Sequence, residues 1–354
     1  MPVVAVTGAA AGIGQALTTG LAASSQVKRV IAIDASRGDV AGVTWRVADV
    51  RDPALGGRLG GVDVVVHADV DLAPDSDARQ RRAFNVRGAQ TVLTAAAAGR
   101  VGRVVLISSA MVYGARPDNP VPLPEDAPLA ADVDASVAGD LLEVEHLARR
   151  AQRANPGTAV TVVRPAALVG ARHSPLDTLV TRHFEAPRLL KMKGTAPRWQ
   201  FCHVDDLVSA VECALAQGLD GRLAVGCDGW LEQEEVERLS GLKSIELPPR
   251  LTFGTAQRLH GLGVVPTPAT GLRYVVYPWV VDCATLRQAG WQPRYDNAAA
   301  LRMLLDQRQG RHAAAGRRIP RKEATITAAG ATVAVIGTAA IVRRARRGRR
   351  RTDP

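Results

Sequence analysis

Aromatic side chains are scarce in this 354-residue chain, 4% of the total, and tyrosine stands only at Tyr113, Tyr274, Tyr277 and Tyr295. No tyrosine therefore lies between 114 and 273, and no lysine between Lys28 and Lys191. A phenol paired with an ammonium group is excluded from the span the two gaps share. Cysteine is also sparse. Cys202, Cys213, Cys227 and Cys283 make no Cys-x-x-Cys pair and have no ligand spacing with histidine. That pattern argues against structural disulfides and zinc, and it fits a reduced, cytoplasmic setting. No charged and then apolar leader opens the chain, so no signal peptide is expected ahead of the fold.

The formal net charge of +11 belongs to one end. Residues 308 to 354 carry 13 Lys and Arg against 2 acids, which leaves 32 of each sign in the first 307 residues. A neutral body has no broad field to attract phosphate backbones, so specific nucleic-acid binding is not expected. Apolar content of 47% is enough for a sizeable core.

What is present is an alternation of short apolar runs and helical stretches, the pattern of a parallel sheet covered by helices. Strands are expected at Val3–Thr7, Arg29–Asp34, Thr44–Val47, 62–67, Arg103–Ile107 and 158–164. Helices are expected at 13–23, 75–98 and 136–154, with a proline-rich loop at 116–128. The fold class is α/β, a Rossmann doubly wound parallel sheet. Residues 1–170 form the nucleotide-binding domain, with core strands returning within 200–227. Residues 171–305 form a smaller, interleaved C-terminal substrate lobe. A basic linker (306–323), a candidate membrane helix (324–342) and an Arg-rich tail (343–354) follow.

The strand Val3–Thr7 runs into Gly8-Ala9-Ala10-Ala11-Gly12-Ile13-Gly14 and then a helix. That order suits a dinucleotide. Gly8 permits the tight turn, Gly12 lets backbone amides near a pyrophosphate, and Gly14 lets the helix pack on the strand. Gly8, Ala11, Gly12, Ile13 and Gly14 are the expected contacts. Asp34 ends the second strand about 20 residues past the last glycine, where a carboxylate accepts bonds from ribose hydroxyls and repels a 2′-phosphate. NAD is therefore favoured over NADP, although Arg37 stands nearby. Asp49, after the third strand, is placed to read the adenine amino group.

From here the sequence resembles the extended short-chain dehydrogenase/reductase superfamily, in particular the NAD-dependent epimerases and dehydratases, over about residues 1–305. The nearest group by resemblance is UDP-glucose 4-epimerase-like proteins of actinobacterial type. Ala48-Asp49-Val50-Arg51-Asp52 looks like the adenine-contacting segment, and Val64-Val65-Val66-His67-Ala68 like the strand closing over the cofactor. Asn85-Val86-Arg87-Gly88 resembles the Asn-x-x-Gly helix start, and Ser108-Ser109-Ala110-Met111-Val112-Tyr113-Gly114 the Ser-Ser-x-x-Val-Tyr-Gly signature. Pro124-Glu125-Asp126, Val163-Arg164-Pro165, Phe201-Cys202-His203-Val204-Asp205-Asp206-Leu207 and Gly290-Trp291-Gln292-Pro293 follow in family order. The resemblance implies cofactor contacts at Val50, His67, Ala68, Asn85 and Pro165, a substrate-hydroxyl contact at Ser109, a nucleotide-sugar-like ligand and a homodimer.

The same resemblance implies a Tyr-x-x-x-Lys pair on the helix after the proline-rich loop, one turn apart, with the lysine lowering the tyrosine pKa for proton transfer. Here Val137 stands at the tyrosine and Leu141 at the lysine. Three readings stay open. Another acid–base could serve, with Tyr113, Asp140 and His146 as candidates. The ligand could be bound without turnover, in a sensor or assembly protein at the membrane. Weak activity could rest on Ser109 and water.

His203 with Asp205, Asp206 and Cys202 does not converge on a metal, because adjacent strand residues point to opposite faces. Arg164, Arg188, Lys191, Lys193, Arg198 and Arg294 are candidate diphosphate ligands, with Arg198 foremost. Residues 324–342 carry no charge across 19 positions, about 28 Å as a helix. Basic residues flank them on both sides, so the expectation extends to a helix lying on an anionic cytoplasmic membrane surface or a disordered basic tail.

Overall fold

Val3–Thr7 (β1) and Val64–His67 (β4) are buried along their whole length, as continuous apolar runs in a sheet covered on both faces should be. The computed structural model describes residues 1–170, 176–261 and 269–315. With Arg29–Asp34 (β2), Thr44–Val47 (β3), Arg103–Ile107 (β5) and Ala159–Pro165 (β6), these strands form a parallel sheet. Beyond β6 come the short strands Ala167–Val169 (β7), Leu189–Met192 (β8), Arg198–Trp199 (β9) and Phe201–His203 (β10). Gly221–Val225 (β11) then returns to pair with β6. The sheet order is β11-β6-β5-β4-β1-β2-β3, a Rossmann-type doubly wound sheet.

Alternation along β1 divides its side chains between two cores. Val4 and Val6 join Leu17 and Leu21 of Gly12–Ala23 (α1) on one face. Ala5 joins Val65 and Leu106 on the other, against helices that include Val92 and Val144. Gly20 of α1 permits close packing on the helix Val204–Ala216, since a Cβ there would lie 2.2 Å from Val208 Cγ1. The first core continues into the C-terminal lobe through Leu189, Met192, Trp199 and Phe201, so the lobe shares its interior with the sheet.

Four strands fall where the sequence places them; two others shift slightly, to Val64–His67 and Ala159–Pro165. The expected single helix over 75–98 is divided. Ala78–Arg82 (α2) is capped by the Asp77 side chain, a π turn spans Ala83–Arg87, and Gly88–Ala98 (α3) follows. The wider turn carries Asn85 inward, where its amide both accepts from Asp71 N (2.8 Å) and donates to Asp71 O (3.0 Å). The helix after the proline-rich loop is Val137–Ala154 (α4), with Ser136 as its cap. The expected linker from 306 is helical at first, because the last described helix runs Asn297–Ala315. The candidate membrane segment 324–342 and the Arg-rich tail lie outside the described residues. Among those that are described, no helix is long and apolar enough to cross a membrane.

Candidate functional site

The chain leaves β1 toward β2 on one side and later returns to β4 on the other. The carboxyl ends of β1 and β4 therefore flank a switch point, where doubly wound sheets take their ligands. Gly8 and Gly12 hold φ values of +72° and +55°. A Cβ on Gly14 would stand 2.0 Å from Gly8 O, so no side chain fits there, whereas a Cβ on Gly12 would meet nothing within 4 Å. Ala11, the N-cap of α1, offers no side chain to the amides of the first turn. Open space over uncapped amides and a helix dipole suits a diphosphate. Ile13 buries its side chain in the core.

Asp34 both supports the turn and stands beside it. Its carboxylate accepts from Ala10 N and from Ser36 N, each at 3.1 Å. Asp49 is engaged by Arg51, at 2.9 Å and 2.6 Å to its two oxygens, and that hydrogen bond holds its carboxyl below the usual range. Arg51 in turn lies over the Phe84 ring. Val50 packs on the start of α3, where a Cβ on Gly88 would come within 3.2 Å of it. His67 is 1% exposed, with Nδ1 2.8 Å from Thr7 Oγ1 and Nε2 without a partner. Burial pushes its pKa down to about 4, so the ring is neutral at pH 7. Ala68 and Pro165 are buried at the strand ends, and Asn85 is occupied with Asp71 as described.

Ser109 sits just past β5, with Oγ accepting from Met111 N at 3.2 Å. Tyr113 is placed differently from an acid–base. It is 1% exposed, its hydroxyl donates to Glu125 O (2.8 Å), and Arg164 donates to it (2.7 Å). Burial raises its pKa first of all causes, which further opposes proton transfer. Arg164 is likewise no diphosphate ligand. It is 1% exposed and makes a two-pronged pair with Glu145, whose carboxylate also accepts from Ser108. Glu125 ties the proline-rich loop to Ala224 N of β11 and to Thr285.

The positions of the expected relay are apolar and packed. Val137 and Leu141 form a small cluster with Val112, and Leu72 and Leu129 pack against it. Leu141 is 0% exposed. Asp140, also buried, turns to Arg81 (2.9 Å) and Arg82 (3.4 Å). Desolvation raises its pKa in spite of these partners. His146 is half-buried on α4, nine residues beyond Val137 and so about half a turn around the helix from it. Tyr113 and Asp140 are thus buried and engaged by neighbours, and His146 lies on the side of α4 away from Val137.

Arg198 pairs with Glu232 (3.2 Å) and lies over the Trp230 ring, and Lys191 pairs with Glu234 (3.2 Å). No group of metal-ligating side chains occurs among the described residues. A cavity of about 100 Å³ lies among Gln200, Cys227, Trp230, Cys283 and Arg287, and none of the cofactor candidates lines it. Three residues escaped the sequence reading. Leu72 and Leu129 lie in loops with no periodicity to mark them. Asp69 lies two residues past the end of β4 and against Gly8; an acid just beyond the carboxyl end of a buried strand was the available signal.

The family model described as "NAD dependent epimerase/dehydratase family" matches residues 4–226. An uncharacterized protein of Mycobacterium tuberculosis is 31% identical over 310 residues, covering 84% of this chain and 82% of its own length. A dTDP-glucose 4,6-dehydratase of Streptomyces niveus is 31% identical over 175 residues, 47% of this chain and 49% of its own. Among solved structures, MoeE5 in complex with UDP-glucuronic acid and NAD is similar, with TM-score 0.66, 21% identity, and coverage of 88% of this chain and 99% of that one. A Thermus thermophilus UDP-glucose 4-epimerase in complex with NAD gives TM-score 0.65 and 18% identity, covering 87% and 99%.

Proposed function

Because the chain belongs to the NAD dependent epimerase/dehydratase family, we propose that it holds NAD on the Gly8–Gly14 turn and a nucleotide-sugar-like ligand beside it, in an atypical site. NAD is the cofactor of that family. The turn, its uncapped helix and Asp34 would hold the diphosphate and ribose. Ser109 would orient a hydroxyl of the bound sugar nucleotide beside the cofactor. The observation that carries the reading is the closed packing of Val137 and Leu141 with Val112, Leu72 and Leu129. That cluster stands where a tyrosine and a lysine would move a proton, and apolar side chains move none. The ligand is therefore held rather than turned over, as in a sensor or assembly protein.

The nucleotide-sugar class is supported by the ligands named for proteins of like fold, UDP-glucuronic acid and UDP-glucose. Calorimetric titration tests it. NAD is expected to bind the free protein, and UDP-glucose or a related sugar nucleotide to bind the NAD-loaded protein. Loss of NAD binding in the wild-type protein would end the cofactor reading, and failure of every sugar nucleotide tried would end the ligand reading. We also propose that the basic end, 13 Lys and Arg after residue 307, attaches the protein to anionic membrane surfaces.

A further inference from the structure

Asp69 stands where β1 and β4 part. A Cβ built on Gly8 would lie 2.8 Å from Asp69 Cα and 3.1 Å from its Cβ, so the side chain of Asp69 starts at the glycine turn itself. Its neighbours of like charge are all supplied with donors. Asp34 accepts from Ala10 N and Ser36 N, Asp49 from Arg51, and Asp71 from Ala73 N. The Asp69 carboxyl has no hydrogen bond among the described residues, and the residue as a whole is partly buried.

The charges around it do not favour an ion. Asp34 at the end of β2 and Asp49 after β3 both disfavour the carboxylate, and Arg51 opposes them. That arginine is already committed to Asp49 and to the Phe84 ring. Burial, then Asp34 and Asp49, push the Asp69 carboxyl up to about 7. The glycine turn that faces it carries no charged side chain. A diphosphate seated over that turn would bring two further negative charges to the same place.

We propose that the dinucleotide binds with a proton on Asp69, so that a neutral carboxyl donates to the diphosphate where a carboxylate would repel it. The proposal rests on the reading that this turn holds NAD. It makes Asp69 a determinant of cofactor affinity and couples that affinity to pH.

The test is calorimetric titration of NAD into the wild-type protein and Asp69→Asn between pH 6 and 9, in two buffers of different ionisation heat. Wild-type affinity is expected to fall by about tenfold per pH unit above 7, with uptake of roughly one proton at the alkaline end. Asp69→Asn, which keeps the shape and the donor, is expected to bind with affinity independent of pH and no proton uptake. Equal pH dependence in the two proteins would overturn the proposal, as would binding by both without proton uptake. Affinity that tightens with Mg²⁺ in place of proton uptake would assign a cation to Asp69 and also overturn it. Absence of binding by both proteins at pH 6 would overturn the NAD reading and this proposal with it.

Discussion

Leu141→Lys returns an ammonium group to the position where the family resemblance implies one, and its cost measures how closed that position is. The leucine is 0% exposed among Val112, Val137, Leu72 and Leu129, none of which can accept a hydrogen bond from a side-chain atom. The adjacent carboxylate, Asp140, is held by Arg81 and Arg82. A lysine here loses the packing of the leucine and must bury an unpaired charge or give up its proton. Destabilisation of about 3–5 kcal/mol is expected. For a body of roughly 300 residues that lowers the melting temperature by about 5–8 °C. Leu141→Met, which conserves volume, is expected to cost less than about 1.5 kcal/mol. Thermal and urea unfolding of the three proteins is the assay. A Leu141→Lys protein melting within about 2 °C of wild type would mean that the side chain reaches water or an open cleft. The closed-cluster reasoning would then be wrong.

Glu145→Gln leaves the buried Arg164 without its charged partner and is expected to cost about 3–5 kcal/mol in urea unfolding, with Arg164→Met/Glu145→Leu recovering part of it. Gly14→Ala places a Cβ against Gly8 O and should weaken NAD by at least roughly tenfold in a titration. Asp69 has a folded pKa raised to about 7 from 3.8 by burial first, so the fold takes up its proton and opposes its ionisation. Its destabilisation is absent below pH 4, grows through pH 4 to 7 and is full above 7. Asp69→Asn should therefore raise stability at pH 8, with the gain fading toward pH 4 in denaturant titrations. A chain ending at residue 315 should keep its NAD affinity and lose sedimentation with anionic vesicles, which the full chain should show in low salt.

Strand positions were legible because the central strands are buried on both faces, so residues 3–6 and 104–107 read as unbroken apolar runs. The strand expected from 62 starts later because Val62 N is bonded to Leu59 O in the preceding turn. Helical periodicity could not reveal the π turn at Ala83–Arg87, whose purpose is a tertiary bond from Asn85 to Asp71. The glycine turn was legible as a local strand–turn–helix unit. Asp69 was not, because its contact with Gly8 arises from the register that pairs Thr7 with His67 across 60 residues. A lone acid after an apolar strand otherwise reads as a loop residue. The absence of the tyrosine and lysine was plain in the sequence, but what packs against their replacements was not, since Leu72 comes from a loop distant in sequence and Leu129 from an irregular stretch before α4 with no periodicity to mark it.

Product analysis tests the central claim most directly. The purified protein is incubated at length with NAD and UDP-glucose or dTDP-glucose, and the nucleotides are separated by chromatography. The account predicts that cofactor and sugar nucleotide are recovered unchanged, in amounts equal to a no-protein control. Conversion of the sugar nucleotide to an epimer or a dehydrated sugar, lost in Gly14→Ala, would contradict it and require a proton relay outside the apolar cluster at Val137 and Leu141.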